Sequence, residues 1–306
     1  MSSEREPLIA GFDVGGTSVR AALVAVDGRL VGSTIDEPRR PDALGQVRDL
    51  RERLVAEAAA AGRSVARTGL CVAGSVEAGT GRIASAPTAP ALVGLRPGAP
   101  GSGLDIDALA NDANAALLGE WRFGAARGVG DAVGIFVGTG VGGAAITGGR
   151  RLLGASGVAL EAGHIVVDPD GPSCGCGGAG CLEQVASGTA LARRFAAATG
   201  GPADARAAAR AARAGDPAAV RLFTDLGRRL GVAVATMANL FNPEVVVVGG
   251  GVADVSDLFL EDLRAAAHRH MTTVTGRDAR IVVGRLGRFA GVAGAAALAS
   301  TGVWDD

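Results

Sequence analysis

Asp13-Val14-Gly15-Gly16-Thr17-Ser18-Val19-Arg20 is the stretch on which the fold class turns. It leaves an apolar run, Leu8–Val14, turns on two glycines and a threonine, and enters a second apolar run, Ser18 to Val26. That pattern is a β-hairpin with a carboxylate, Asp13, at the exit of a buried strand. Glycine lets the backbone approach an anion closely, Thr17 adds a hydroxyl donor, and Asp13 can hold Mg²⁺ through water. Alone, such a hairpin is equally well only a tight turn. The pattern returns, however, as Gly138-Thr139-Gly140-Val141-Gly142-Gly143 after another apolar strand, and a third glycine run, Gly249-Gly250-Gly251, follows the buried strand Glu244 to Val248. Three separated elements of this kind can surround one nucleotide. The candidate phosphate-binding residues are Asp13, Gly15, Gly16, Thr17, Gly138, Thr139, Gly140, Gly142, Gly250 and Gly251.

Outward from these turns, the periodicity predicts a third strand, Arg29 to Ile35, and a helix over Ala43–Ala61 with Leu44, Val47, Leu50, Leu54 and Val55 at helical spacing. A strand at Thr68 to Ala73 follows. Residues 74 to 103 read as loop with a short strand around Ile83, and Ala113 to Trp121 reads as helix. Helices are expected at Thr189 to Ala198, Pro202 to Ala214, Asp216 to Phe241, Val255 to His270 and Ala290 to Thr301, with a strand at Arg280 to Gly284. The sum is an α/β protein with mixed sheets. Its 306 residues and 48% hydrophobic content suffice for two cores.

The charge balance, 30 basic against 31 acidic residues, offers no footprint for nucleic acid or an anionic membrane. No apolar run is long enough to span a bilayer, and the charged start at Glu4, Arg5 and Glu6 does not read as a signal peptide, so a cytoplasmic protein with a small-molecule partner is expected. The sequence contains no lysine. A Walker-type phosphate loop and protein-kinase chemistry both need one, and so does Schiff-base catalysis, so all three are excluded.

Two further motifs carry chemistry. Glu161-Ala162-Gly163-His164 precedes Cys174-Gly175-Cys176-Gly177-Gly178-Ala179-Gly180-Cys181-Leu182-Glu183. His164, Cys174, Cys176 and Cys181 offer one nitrogen and three sulfurs, a set suited to tetrahedral Zn²⁺ with no open position, hence a structural metal. Cys71, in an apolar strand, reads as a packed core residue. Asn111-Asp112-Ala113-Asn114 stands before a helix, and read alone it is a helix N-cap.

The three glycine elements together resemble the phosphate-1, phosphate-2 and adenosine segments of the actin, Hsp70 and hexokinase superfamily. The string Cys-x-Cys-Gly-x-x-Gly-Cys-x-Glu, preceded by Glu-x-Gly-His, is similar to the signature of the ROK family, which contains bacterial glucokinases; the likeness runs from about residue 8 to the last helix. The resemblance implies a two-domain actin-like (ribonuclease H-like) ATPase fold, with a smaller α/β domain of residues 1–115 plus 290–306, a larger one of 116–289 holding the zinc loop, and a cleft between them. It implies ATP-dependent phosphorylation of a hexose at the 6-hydroxyl, with ATP, Mg²⁺ and structural Zn²⁺. Asp112 then matches the catalytic base. Asn111, Asp112, Glu161, His164 and Glu183 match the residues that touch the sugar, with Gly74 and Thr88 in the loop beside it, and His164 holds zinc through one ring nitrogen while turning the other to the sugar.

Family glucokinases commonly carry Pro-Asn-Leu followed by Trp in that loop, where this chain reads Ala86-Pro87-Thr88-Ala89-Pro90 with no Trp before Leu95. Glucose is the first expectation, with N-acetylmannosamine, mannose or fructose as alternatives, and polyphosphate remains open as donor. The family also contains sugar-responsive repressors; with seven residues ahead of the first strand, no DNA-binding helix-turn-helix is expected. The resemblance implies a homo-oligomer, dimer or tetramer.

Overall fold

The computed structural model describes residues 6–99 and 104–301. The chain divides into two compact units, Met1–Gly128 with Arg150–Ala159 and Arg288–Asp306, and Val129–Gly149 with Leu160–Gly287.

The first unit is built on strands β1 (Leu8–Val14), β2 (Ser18–Val24), β3 (Leu30–Pro38), β4 (Val65–Val72) and β7 (Ala108–Asn111), ordered β3-β2-β1-β4-β7. β1, β2 and β3 form an antiparallel meander, whereas β4 and β7 run parallel to β1. Side chains alternate across a strand, and β1 shows the consequence. Leu8, Ala10, Phe12 and Val14 join a cluster with α1 (Ala43–Ala60), while Ile9 packs with Cys71 and with Val292 and Ala295 of the helix Ala290–Thr301. Asp13 falls on this second face. The parallel register sets Val14, Val72 and Asn111 side by side, so the ends of three strands form one edge.

The second unit repeats the scheme. β8 (Ala132–Val137) and β9 (Val141–Thr147) form a hairpin, and β10 (Val245–Gly249) and β11 (Arg280–Val283) extend it in parallel, in the order β9-β8-β10-β11. All five residues of β10 are buried, as a central parallel strand requires. The helices of this unit begin with α3 (Leu182–Ala186), α4 (Gly188–Thr199), α5 (Ala205–Arg213) and α6 (Pro217–Phe241). α6 starts at a proline behind the Asp216 cap and ends where Asn242 turns left-handed ahead of Pro243.

Two expectations are corrected. The helix expected from Val255 begins instead at Leu260, as α7 (Leu260–His270), because 3₁₀ turns over Gly251–Leu258 break at Val255 (φ −122°, ψ 27°). Beyond the break, Asp257 pairs with Arg213 at 2.8 Å, and Phe259 is buried at the junction with α7. The loop over 74–103 holds more structure than expected, a hairpin of β5 (Ser75–Val76) and β6 (Ile83–Ser85) and a 3₁₀ turn at Pro90–Leu92; residues 100–103 lie outside the described residues. Among the described residues, no helix is long and apolar enough to cross a membrane.

Candidate active site

In the first unit the candidate residues gather at the strand-end edge. The turn closes with the Gly15 N–H donating to the Ser18 carbonyl at 2.9 Å, which makes Asp13 the cross-strand partner of Arg20. Arg20 Nη1 lies 3.3 Å from Asp13 Oδ2, and Arg20 Nε lies 3.3 Å from Asp36 Oδ1. Burial pushes the Asp13 carboxyl up, against the pull of Arg20 and of the Cys71 thiol. Burial also lifts the Cys71 thiol well above its ordinary value, with Asp13 and Asp112 adding to the effect, so Cys71 stays a neutral neighbour. Arg20 was not singled out from the sequence. The hairpin register, counted back from the turn, is the signal that pairs it with Asp13.

At the head of α2 (Asp112–Phe123) the capping work falls on Asn111, whose Oδ1 accepts from the Asn114 N–H at 3.1 Å. Asp112 is the first helical residue. Its Oδ1 accepts from the Ala113 N–H at 2.9 Å and from Asn111 Nδ2 at 3.0 Å, and the same Asn111 amide donates to the Gly74 carbonyl at 3.0 Å. Asn111 Oδ1 also accepts from Asn114 Nδ2 at 3.3 Å. An amide has two N–H donors and two acceptor lone pairs, so Asn111 has its full complement inside the chain. A sugar hydroxyl that reached Asn111 would displace one of these bonds. Gly74 therefore supports Asn111 through its carbonyl, and Thr88 stands exposed in a turn after β6.

In the second unit, Glu183 at the start of α3 meets the glycine turn between β8 and β9. Its Oε2 accepts from the Val141 N–H at 2.9 Å. A Cβ on Gly140 would stand 2.3 Å from that oxygen, so a side chain here would push the carboxylate off its present position. The turn is closed by the Gly138 N–H on the Gly140 carbonyl at 2.9 Å and tied to the head of α4 by two bonds, Gly188 N–H to Gly138 O at 2.8 Å and Thr189 Oγ1 to Thr139 O at 2.8 Å. Gly250 has φ +82° with ψ −178°, and a Cβ would lie 2.5 Å from the Val137 carbonyl oxygen. Gly142 is half-buried in β9, and Gly251 is exposed.

One ligand atom from each of His164, Cys174, Cys176 and Cys181 lies within 4.8 Å of the others. Cys176 Sγ and Cys181 Sγ are 3.7 Å apart, and so are Cys174 Sγ and His164 Nδ1. A tetrahedral zinc with Zn–S of about 2.3 Å sets its ligands roughly 3.6–3.8 Å apart along each edge, so the cluster fits the metal. The thiols differ: Cys174 is held down to about 7, chiefly by the Cys176 backbone N–H, whereas burial, with Cys176 and Cys174 adding to it, pushes Cys181 up to about 12. The Gln184 amide donates to Cys174 Sγ at 3.7 Å, a supporting bond of the kind that orients metal ligands. With Nδ1 on the sulfur side, His164 Nε2 lies 4.0 Å from Glu161 Oε2. The loop is braced from α6, where Arg229 reaches Asp168 at 3.0 Å and Asp225 at 2.9 Å.

The profile of the ROK family matches residues 9–302. The chain belongs to the ROK family. The glucokinase of Streptomyces coelicolor is 35% identical to this ROK protein over 318 residues, 95% of this chain and 97% of that one. The N-acetylmannosamine kinase of Escherichia fergusonii is 34% identical over 290 residues, 87% and 95% of the two chains. Among solved structures, a ROK family glucokinase from Streptomyces griseus in complex with glucose and AMPPNP matches with a TM-score of 0.82 and 37% identity, covering 96% of this chain and 99% of that one. The fold class expected from the sequence holds: α/β, with mixed sheets in two units, of the actin-like kinase type.

Proposed function

We propose that this ROK protein transfers the γ-phosphoryl group of ATP to the 6-hydroxyl of a hexose, glucose in the first place, with Asp112 as the base. The observation that carries the reading is the division of labour at the head of α2: Asn111 caps the helix, and Asp112 follows it at the strand edge where β1, one residue past Asp13, gives way to the Gly15-Gly16-Thr17 turn.

Phosphoryl transfer passes through a loose transition state, so alignment and charge placement matter more than covalent help. Asp112 would take the proton of the attacking hydroxyl as the new O–P bond forms. The Asn111 N–H on Asp112 Oδ1 fixes the orientation of the carboxylate that this role needs. Gly15, Gly16 and Thr17, the Gly138 to Gly142 turn, and Gly250 with Gly251 would supply backbone and hydroxyl donors to the nucleotide, with Asp13 holding Mg²⁺ through water. Glu161, His164 and Glu183 would take the sugar hydroxyls. His164, Cys174, Cys176 and Cys181 would hold a structural zinc, and His164, holding it through Nδ1, would keep Nε2–H as the donor.

A second reading, an N-acetylmannosamine kinase, draws support from the Escherichia fergusonii relative and from Thr88 in the loop position where family glucokinases commonly carry Asn. A panel of hexoses and amino sugars, assayed for sugar-dependent ADP release, tests both. Glucose giving the largest kcat/KM supports the first reading; N-acetylmannosamine doing so replaces it with the second, and no sugar-dependent release refutes the kinase.

A further inference from the structure

The two chain segments that flank the four-ligand cluster are tied together by charged side chains of α4 and α6. Arg229 of α6 donates from Nη1 to Asp168 Oδ2 at 3.0 Å and from Nε to Asp225 Oδ2 at 2.9 Å. The same Asp225 oxygen accepts from Arg194 Nη2 of α4, and Arg194 Nη1 donates to the Val185 carbonyl at 3.0 Å. Arg193 beside it donates to the Gln184 carbonyl at 2.7 Å. The bonds therefore run from Asp168, four residues past His164, to the end of α3, which opens directly after Cys181. Burial works to raise the Asp225 carboxyl, but Arg194 and Arg229 outweigh it and hold the group below its ordinary value. An isolated ion pair near the surface contributes little, whereas several charges sharing one carboxylate form a network that holds its members in place.

Backbone bonds join the same two segments. The Val167 N–H donates to the Gly180 carbonyl at 3.0 Å and the Leu182 N–H to the Ile165 carbonyl at 2.8 Å, so the residues next to His164 lie beside those next to Cys181. Gly180 has φ +69°, and a Cβ there would stand 1.7 Å from the Asp168 carbonyl oxygen, so a side chain would force the segments apart. Neither these bonds nor the arginine network uses a ligand atom of the cluster. Cys174 and Cys176 lie on the turn between the segments, where the Gln184 amide reaches Cys174 Sγ at 3.7 Å. We infer that Arg229 is a positioning residue: with Asp225 and Arg194 it pins Asp168 and the end of α3 to α6, so that His164 and Cys181 are set in place before a metal binds and Cys174 and Cys176 close on it. The consequence for the metal stands without the kinase reading; the consequence for the sugar, through His164, rests on it.

The test is zinc affinity, measured on the full chain by competition with a chelator, with steady-state kinetics alongside. Arg229→Met, which keeps an apolar stem and removes the guanidinium, is expected to weaken zinc binding about tenfold, the low end for groups that orient metal ligands, and to raise the sugar KM with the ATP KM unchanged. Asp168→Asn leaves α6 and the backbone bonds intact; it is expected to shift both quantities in the same direction, and it carries the test if Arg229→Met does not fold. Arg229→Lys, a point charge that cannot fork to two carboxylates, is expected to fall between Arg229→Met and wild type. A lower Tm with zinc affinity and sugar KM at wild-type level in Arg229→Met and Asp168→Asn would reduce the network to a brace of the fold and overturn the positioning role. Weakened zinc in variants of a protein that shows no sugar-dependent turnover would support the positioning role and refute the kinase reading instead.

Discussion

Glu183 Oε2 accepts the backbone N–H of Val141 at 2.9 Å, across 42 positions of sequence. One carboxylate thus joins the segment proposed to read sugar hydroxyls to the glycine turn proposed to hold phosphate. If Glu183 serves both, its truncation should raise two Michaelis constants at once. Glu183→Ala is expected to raise KM for sugar and for ATP by about tenfold each, since a hydrogen bond to a charged group contributes about 1.5–3 kcal/mol. Steady-state kinetics with each substrate varied in turn provides the check; a rise in the sugar KM alone would confine Glu183 to the sugar.

Gly250 adopts a backbone conformation reserved for glycine and leaves no room for a Cβ beside Val137. Gly250→Ala should therefore cost about 1–3 kcal/mol from the backbone alone, more once Val137 is displaced. Chemical denaturation of the variant measures the loss. A variant as stable as wild type would show that this turn is not held as described.

Asp13 is buried, and its carboxyl is pushed up by desolvation. A native value above the unfolded one means that the contribution of this group is fully present below the unfolded value of about 3.9 and is lost as pH rises through the native value. Asp13→Asn removes that titration. Its Tm should fall less than that of wild type as pH rises above about 4 and should match or exceed wild type at neutral pH, while turnover drops. Thermal scans across pH check the sign; a neutral-pH Tm well below wild type would mean that the Arg20 pairing outweighs desolvation.

The four-ligand cluster was legible in the sequence because glycines between the cysteines let the chain curl tightly enough to bring three thiols and His164 to one point. The hairpins were legible for a similar reason, since Gly-Gly-Thr and Gly-Thr-Gly between apolar runs dictate both turn and register. The Glu183 to Val141 bond was not legible, because nothing in the local pattern of Leu182-Glu183-Gln184 points to a partner so distant. Nor was the assignment of the cap: Asn111 and Asp112 are both good caps, and only the geometry of β7 entering α2 decides that Asn111 takes the role. The break at Val255 escaped notice because the apolar spacing continues through it.

The zinc reading predicts one Zn²⁺ per chain by elemental analysis. Cys176→Ser, which removes an exposed ligand, should lower metal content and Tm, and should raise the sugar KM through His164 while leaving the ATP KM near wild type. Full activity in metal-free protein would refute a structural zinc.

The central claim, that Asp112 is the base of a sugar kinase, is tested most directly by sugar-dependent ATP consumption in wild type and in Asp112→Asn, with sugar binding measured calorimetrically for both. The account predicts consumption by wild type only when sugar is added, a fall in kcat of about 100-fold or more in the variant, and sugar binding retained. A variant with near-wild-type kcat would contradict it.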